Sequence, residues 1–522
     1  MTGRSIALTI FGALVAAGLV LAYRYGRRSR DADSYWAAGG AISARRNALA
    51  TVGDFLSGSS LLGGVGLLFL GGVDGTFYLV LPLVAWIPVM LLVAERLRNL
   101  GRFTLTDVLA RRFDSRPVRL ALAASTLVIT GVYLLAQLVV MGNLFTLLSG
   151  LDYTPAVVLS GIVMIFYVAV GGMGATTVIQ AVKAVLLIGV LLLMSVLLVV
   201  RFDGDLGRLF SAAAKPSHGM DPLQPGALLH GTWNTLSVGL ALTLGVAGMP
   251  HVMMRFFTVP DAVQARRSVA ITAWLIAGAS VLVGFIGLGT AALLRSETAT
   301  LAATGGNLVT PRLAEVLGGG TGSLGGAVVL GIVSAVAFAT VVAVVSGLLL
   351  NAASTVVRDV WHQLPSARAG VSPEREARRG RIACTAVGAV VILLAVGLGP
   401  DFNATRLVTL AFGVAASANF PVLLLSLGWR RLTHAGAIAG ILTGLISSVV
   451  LMLLGPLWPG THPPVSLEGP TIIALPLALL GCWAGSLLSR RDTTGEQADG
   501  EFRILQAEAE LGIRAAAQSP SH

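Results

Sequence analysis

Charge is scarce in this chain. Of its 522 residues, 12% are Asp, Glu, Lys or Arg and 55% are hydrophobic. A soluble domain carries about 25% charged residues, so a water-soluble globular protein is excluded. Lysine is scarcer still: only Lys183 and Lys215 occur, and the preference for Arg reads as mutational bias rather than chemistry. The two cysteines, Cys384 and Cys482, sit in separate apolar segments and offer neither a disulfide framework nor a metal cluster. Catalytic signatures are missing too. There is no His-Glu-x-x-His and no Gly-x-Ser-x-Gly, and neither lysine follows a glycine as a phosphate-binding loop requires. These absences weigh against a membrane-embedded enzyme, and no cofactor is expected.

The charge that is present is sorted. A net charge of +11 in a soluble chain would suggest nucleic acid, but here the arginines gather in loops of one parity, so no nucleic-acid partner is expected. Apolar spans fall near residues 5–23, 47–72, 76–95, 120–148, 154–170, 175–200, 230–254, 268–294, 324–357, 382–399, 405–428, 434–455 and 470–489. Arg27, Arg28 and Arg30, then Arg96, Arg98, Arg111 and Arg112, then Arg255, Arg266 and Arg267, then Arg368, Arg375 and Arg378, then Arg430 and Arg431, and finally Arg490 and Arg491 mark one side. The opposite loops hold far fewer bases. The positive-inside rule thus predicts an all-α protein of about thirteen transmembrane helices in the cell membrane, N-terminus outside and C-terminus cytoplasmic. The first span has no charge-first leader or small-residue cleavage site, so it reads as a retained helix. The tail 491–522 is polar, with a helical pattern around Phe502 to Ile513.

Residues Asn47 to Gly72 break the rule that a span should be plainly apolar. Asp54 sits about two turns in, followed by Ser57-Gly58-Ser59-Ser60 and Gly63-Gly64. A carboxylate at that depth costs at least ~2.5 kcal/mol, so it needs a partner or a watery cavity. The Ser/Gly run behind it is poor helix material. An unwound turn beside a buried acid is how discontinuous helices build sites for ions and solutes; a Gly/Ser packing face is the plainer alternative. A second break, Gly248-Met249-Pro250, falls five spans later. That odd spacing makes the two helices cross in opposite senses, as an inverted repeat requires. Skipping the first helix leaves a core of five plus five. The resulting division is 1–46, a first repeat 47–200, a loop 201–229, a second repeat 230–430, two further helices in 431–490, and the tail.

Six segments give the chain a specific likeness: GDFLSGSS (Gly53–Ser60), ERLRNLGRFTLTDVLARRF (Glu95–Phe113), YVAVGGMGATTVIQAVK (Tyr167–Lys183), GMPHVMMRFFTV (Gly248–Val259), AFATVVAVVSGLLLNAASTVVRD (Ala337–Asp359) and AASANFP (Ala415–Pro421). With these the chain resembles the sodium:solute symporter family, nearest its cation/acetate symporter branch. The resemblance implies a LeuT-type inverted-repeat core, alternating access, and uptake of a short monocarboxylate with a cation. It makes Asp54 the acid of cation coupling and adds the carbonyls of Val52 and Phe55. Where many members place a Ser-Thr pair of hydroxyl ligands, this chain has Ala343 and Val344, with Thr340 one turn earlier on the same face. Where members carry an acid near the inner exit, it has Gln180, followed one turn later by Lys183.

A carboxylate substrate needs donors, which the N-termini of half-helices present. Pro250 suits a first helical position beside Gly248, and Ser57 or Ser59 suits an N-cap. Tyr133, Gln137 and Asn419 are candidate lining groups, each equally readable as an interhelical hydrogen bond, and His251 reads as structural. The coupling ion is Na+, bound through Asp54, carbonyls and Thr340, or H+, with protonated Lys183 doing a cation's work. Other family solutes and, more distantly, a passive channel remain alternatives.

Overall fold

The computed structural model describes residues 3–26, 42–101, 104–113, 115–170, 173–215, 221–363, 373–456, 464–489 and 496–512. The loop arginines Arg27, Arg28, Arg30, Arg102, Arg368, Arg490 and Arg491 and the pair Gly171-Gly172 lie outside the described residues.

Helices account for nearly all of the described chain, and no strand occurs among the described residues. In order, they are α1 (Gly3–Gly26), α2 (Ala44–Phe55), α3 (Ser59–Gly71), α4 (Val73–Leu100), α5 (Leu105–Ala110), α6 (Arg116–Ser149), α7 (Tyr153–Val170), α8 (Met173–Arg201), α9 (Leu206–Ala213) and α10 (Thr232–Gly248). The second half holds α11 (Pro250–Thr258), α12 (Ala262–Leu293), α13 (Val309–Leu317), α14 (Leu324–Val360), α15 (Pro373–Leu398), α16 (Ala404–Gly428), α17 (His434–Leu454), α18 (Thr471–Leu488) and α19 (Glu496–Leu511). Nine helices of the described residues are long and apolar enough to cross a membrane, or eleven when α2 with α3 and α10 with α11 each count as one bent span. The first pair bends by 57° and the second by 41°, at the two places where the sequence breaks.

Exposure sorts these helices. α14 and α16 are buried along most of their length and form the centre. Trp274 and Val281 of α12, Leu393 of α15 and Leu488 of α18 face outward. So much apolar surface is stable only against lipid, which also explains why the chain needs so few charges.

Carbonyls at the first break accept side-chain donors from other segments, which fastens an irregular backbone shielded from water. The chain turns widely over Ser59–Gly63 before resuming α-helix. There Thr405 Oγ1 donates to Ser59 O (2.8 Å), Thr310 Oγ1 to Leu61 O (2.8 Å) and Asn403 Nδ2 to Gly63 O (3.1 Å). At the second break Asn419 Nδ2 donates to Gly248 O (3.0 Å). The central helix α16, with its cap Asn403, therefore staples both breaks.

Each end of the bundle has its own fastening. Asp74, at the start of α4, accepts the backbone N–H groups of Gly226, Leu228 and Leu229 at 2.8 to 3.2 Å, pinning the polar connection after α9. At the arginine-rich end Arg112 donates to the carbonyls of Ser426, Trp429, Arg430 and Leu432, closing the last turn of α16. Burial pulls Arg112 down to about 10, which leaves it charged at neutral pH. Its guanidinium also lies 4.7 Å from the ring centroid of Phe502 on α19. Arg111 pairs with Glu508 at 2.5 Å, so the helix expected near Phe502 is docked under the bundle.

Candidate functional site

α2 enters from the arginine-rich end and carries Asp54 ten residues inward, about 15 Å at helical rise. Two side chains meet its carboxylate there. Arg255 of α11 donates through Nε to Oδ2, and Gln180 of α8 donates through Nε2 to Oδ1. Gln180 Nε2 also reaches Ala343 O on α14 at 3.3 Å. One turn along α8, Lys183 donates from Nζ to Gly53 O. Asp54, Gln180, Lys183 and Arg255 are all buried. A buried acid in lipid needs a counter-charge, and the other half of the molecule supplies it.

The sequence reading put Arg255 among the loop arginines, and the structure corrects this. Its side chain is 2% exposed and inside the bundle. A base just after an apolar span normally marks a flank; here the break at Met249 shortens the helix, and the residues beyond Pro250 turn back into the core. The available signal was local: Arg255 stands alone in the apolar run Met253-Met254-Arg255-Phe256-Phe257.

The proposed cation ligands divide. Val52 O accepts the N–H of Leu56 at 2.8 Å, and Ala343 O accepts from Ser346 Oγ at 2.6 Å as well as from Gln180. Thr340 is buried one turn before Ala343 with its Oγ1 unpartnered. Val344 and Phe55 are buried, and Phe55 sets its ring edge-on to Trp86 at 5.4 Å.

A second polar patch lies at the break itself. Ser57 and Ser59 pair through their hydroxyls, Gln137 Nε2 reaches Ser59 Oγ at 3.4 Å, and Tyr133 is buried. Gly58 is the N-cap of the wide turn and has no side-chain cap, so Ser57 uses its hydroxyl on Ser59 rather than as the expected cap. Tyr133 meets the ring of His251 edge-on at 5.2 Å and that of Phe412 at 6.3 Å, which ties this patch to the second break. Pro250 occupies the start of α11 as expected, and Gly248 approaches α16 so closely that a Cβ would sit 2.3 Å from Ala415 O. Gln137 Oε1, both ring nitrogens of His251 and Trp86 Nε1 are buried without partners. Such groups are costly unless a ligand or water meets them. Asn419 is separate: it bridges Ser125 Oγ and Gly248 O, the interhelical option of its two readings. His251, Trp86 and Phe412 were not among the expected lining groups; their nearness to Tyr133 and Phe55 arises only in three dimensions.

Two bent spans crossing at a shared buried ion pair, in a bundle faced with apolar side chains, define a membrane carrier with discontinuous helices. The sodium:solute symporter family profile matches residues 35–444, and the chain belongs to that family. It is 40% identical to the uncharacterized symporter YwcA of Bacillus subtilis (strain 168), over 97% of this chain and 98% of that one. It is 38% identical to a monocarboxylic acid transporter of Corynebacterium glutamicum, over 95% and 94% of the two chains. Among solved structures, a Na+-coupled sialic acid symporter in a substrate-bound outward-open state matches with a TM-score of 0.73 at 18% identity, covering 92% of this chain and 98% of that one. A nucleobase-cation-symport-1 family transporter, closed around bromovinylhydantoin, matches with a TM-score of 0.56 at 13% identity, covering 91% and 99%. These neighbours place the chain in the LeuT fold. It is a multi-pass membrane transporter and not an enzyme.

Proposed function

We propose that this transporter takes up acetate or a related short-chain monocarboxylate together with a cation, Na+ or H+, by alternating access. The observation that supports it most is the charge around the break. Asp54 is met by Arg255 and adjoined by Lys183, so the charged forms of these three groups leave one positive charge in excess. A buried excess of that sign favours an anion, and hydroxyl and amide groups of Ser57, Ser59, Tyr133 and Gln137 stand beside it as donors for a carboxylate. The named transport function of the Corynebacterium relative agrees with this chemistry. Under this reading the arginine-rich end is cytoplasmic, the N-terminus lies outside, and the two repeats span 47–200 and 230–430.

Na+ as the coupling ion rests on the family. H+ rests on Lys183, whose ammonium already holds Gly53 O, beside the carbonyls that a sodium ion would use. Deprotonation of Lys183 as the site opens inward would deliver the proton. The deciding experiment is accumulation of labelled acetate in proteoliposomes at fixed pH, with sodium and proton gradients imposed separately. Accumulation under either gradient, and none when neither is imposed, supports cation-coupled monocarboxylate uptake. Persistence in choline with collapse on adding a protonophore and in Lys183→Gln selects H+; a sodium requirement that survives Lys183→Gln selects Na+.

A further inference from the structure

A cavity of about 330 Å³ opens at the end of the bundle opposite the arginines, within the roughly 300–1,000 Å³ range of small-molecule sites. Its walls are mostly apolar, with Leu67 and Leu70 of α3 and Leu410 of α16 among them. Arg406, Tyr78 and Glu468 give it a polar corner, and Asp401, Asn403 and Thr409 also line it. The Arg406–Glu468 pair is loose. One nitrogen, Nη2, lies 3.3 and 3.5 Å from the two carboxylate oxygens, and Arg406 Nε is buried with no partner. A guanidinium binds a carboxylate best through two parallel N–H bonds, so half of this fork is unused. The cavity also adjoins the central break: Thr405, next to Arg406, holds Ser59 O, and Leu67 and Leu70 belong to the helix that starts there.

We infer that this cavity is a second binding site for the transported monocarboxylate, in which Arg406 takes the carboxylate from Glu468 and the apolar wall takes the short alkyl chain. The inference rests on the monocarboxylate reading and on the orientation proposed with it, which makes this the outer face. An anion arriving from outside meets Arg406 first, is held against the helix that leads to Ser57 and Ser59, and passes inward when that helix moves.

A plain gate predicts something different. If Arg406 and Glu468 only latched the outer face, removing either would have the same effect. As an anion site with a built-in competitor, they act with opposite signs. The experiment measures initial rates of labelled acetate uptake in intact cells for wild type, Arg406→Gln, Arg406→Lys and Glu468→Gln. Arg406→Gln should raise KM about tenfold, the scale of a lost hydrogen bond to a charged group. Arg406→Lys should recover part of that, and Glu468→Gln should lower KM. Equal shifts in one direction, or no shift, overturn the inference. Should Arg406→Gln fail to reach the membrane, Glu468→Gln decides alone: a lower KM supports the site, and an unchanged or higher KM overturns it. If wild type accumulates no monocarboxylate, the functional reading fails and this inference falls with it; uptake with unmoved KM values fails the inference only.

Discussion

The two broken spans make an instructive pair. The break between α2 and α3 has an acid before it and hydroxyls within it. The break between α10 and α11 has no acid, a proline to restart the helix, and a base one turn beyond. Neither span would be stable alone, since each buries a charge at membrane depth. Together they neutralise one another across the repeat boundary through Asp54 and Arg255. The ion pair thus holds the two bent spans together at this point.

Removing one side of that pair should have the largest effect. Arg255→Gln should lower the stability of the detergent-purified protein by about 3–5 kcal/mol, read from thermal unfolding, because it strands a buried carboxylate. The double variant Asp54→Asn with Arg255→Gln should recover much of that stability without recovering uptake. Equal stability of Arg255→Gln and wild type would show that the two breaks are not joined by charge.

The breaks also differ in how they are crowded. A methyl group on Gly248 would lie 2.3 Å from the backbone oxygen of Ala415, which cannot rotate away, whereas on Gly58 it would meet Cγ2 of Val341, a side chain, at 2.2 Å. Gly248→Ala should therefore cost about 3 kcal/mol in the same assay, at the upper end for overpacking, and Gly58→Ala about 1–2 kcal/mol. Val341→Ala should rescue Gly58→Ala and leave Gly248→Ala unrelieved. Rescue of both, or of neither, would remove this asymmetry.

An ion pair outside both breaks sets the lower bound. Arg111 and Glu508 join α19 to the arginine-rich end, and Arg111 is half exposed. Glu508→Gln should change stability by less than about 1 kcal/mol and leave uptake unchanged. A loss of uptake would give the tail a part in transport that the comparison of breaks does not include.

The same contrast explains what could be read from the sequence. Asp54, the serines behind it and Pro250 announce themselves because each is the wrong residue for an apolar helix, and spacing alone makes the two breaks equivalent. The LeuT fold follows from that pairing and from the family segments. Arg255 is hidden because charge statistics treat a base after a span as a flank, and its partner lies 201 residues away. Gln180 and Lys183 were visible as departures from a family pattern, but that one holds the Asp54 carboxylate and the other the neighbouring carbonyl is a property of how α8 packs on α2. Asn419 shows the reverse limit: a polar residue in an apolar helix is conspicuous whether it binds a solute or, as its two bonds show, another helix.

The most direct test of the account is accumulation of labelled acetate by Asp54→Asn, measured beside its level in the membrane. The substitution keeps the shape and removes the charge that Arg255 meets and that, in the proposed function, holds the coupling cation. The account predicts protein in the membrane and no accumulation above the outside concentration under either a sodium or a proton gradient. Accumulation at near wild-type rates would make Asp54 a packing residue and contradict the account at its centre.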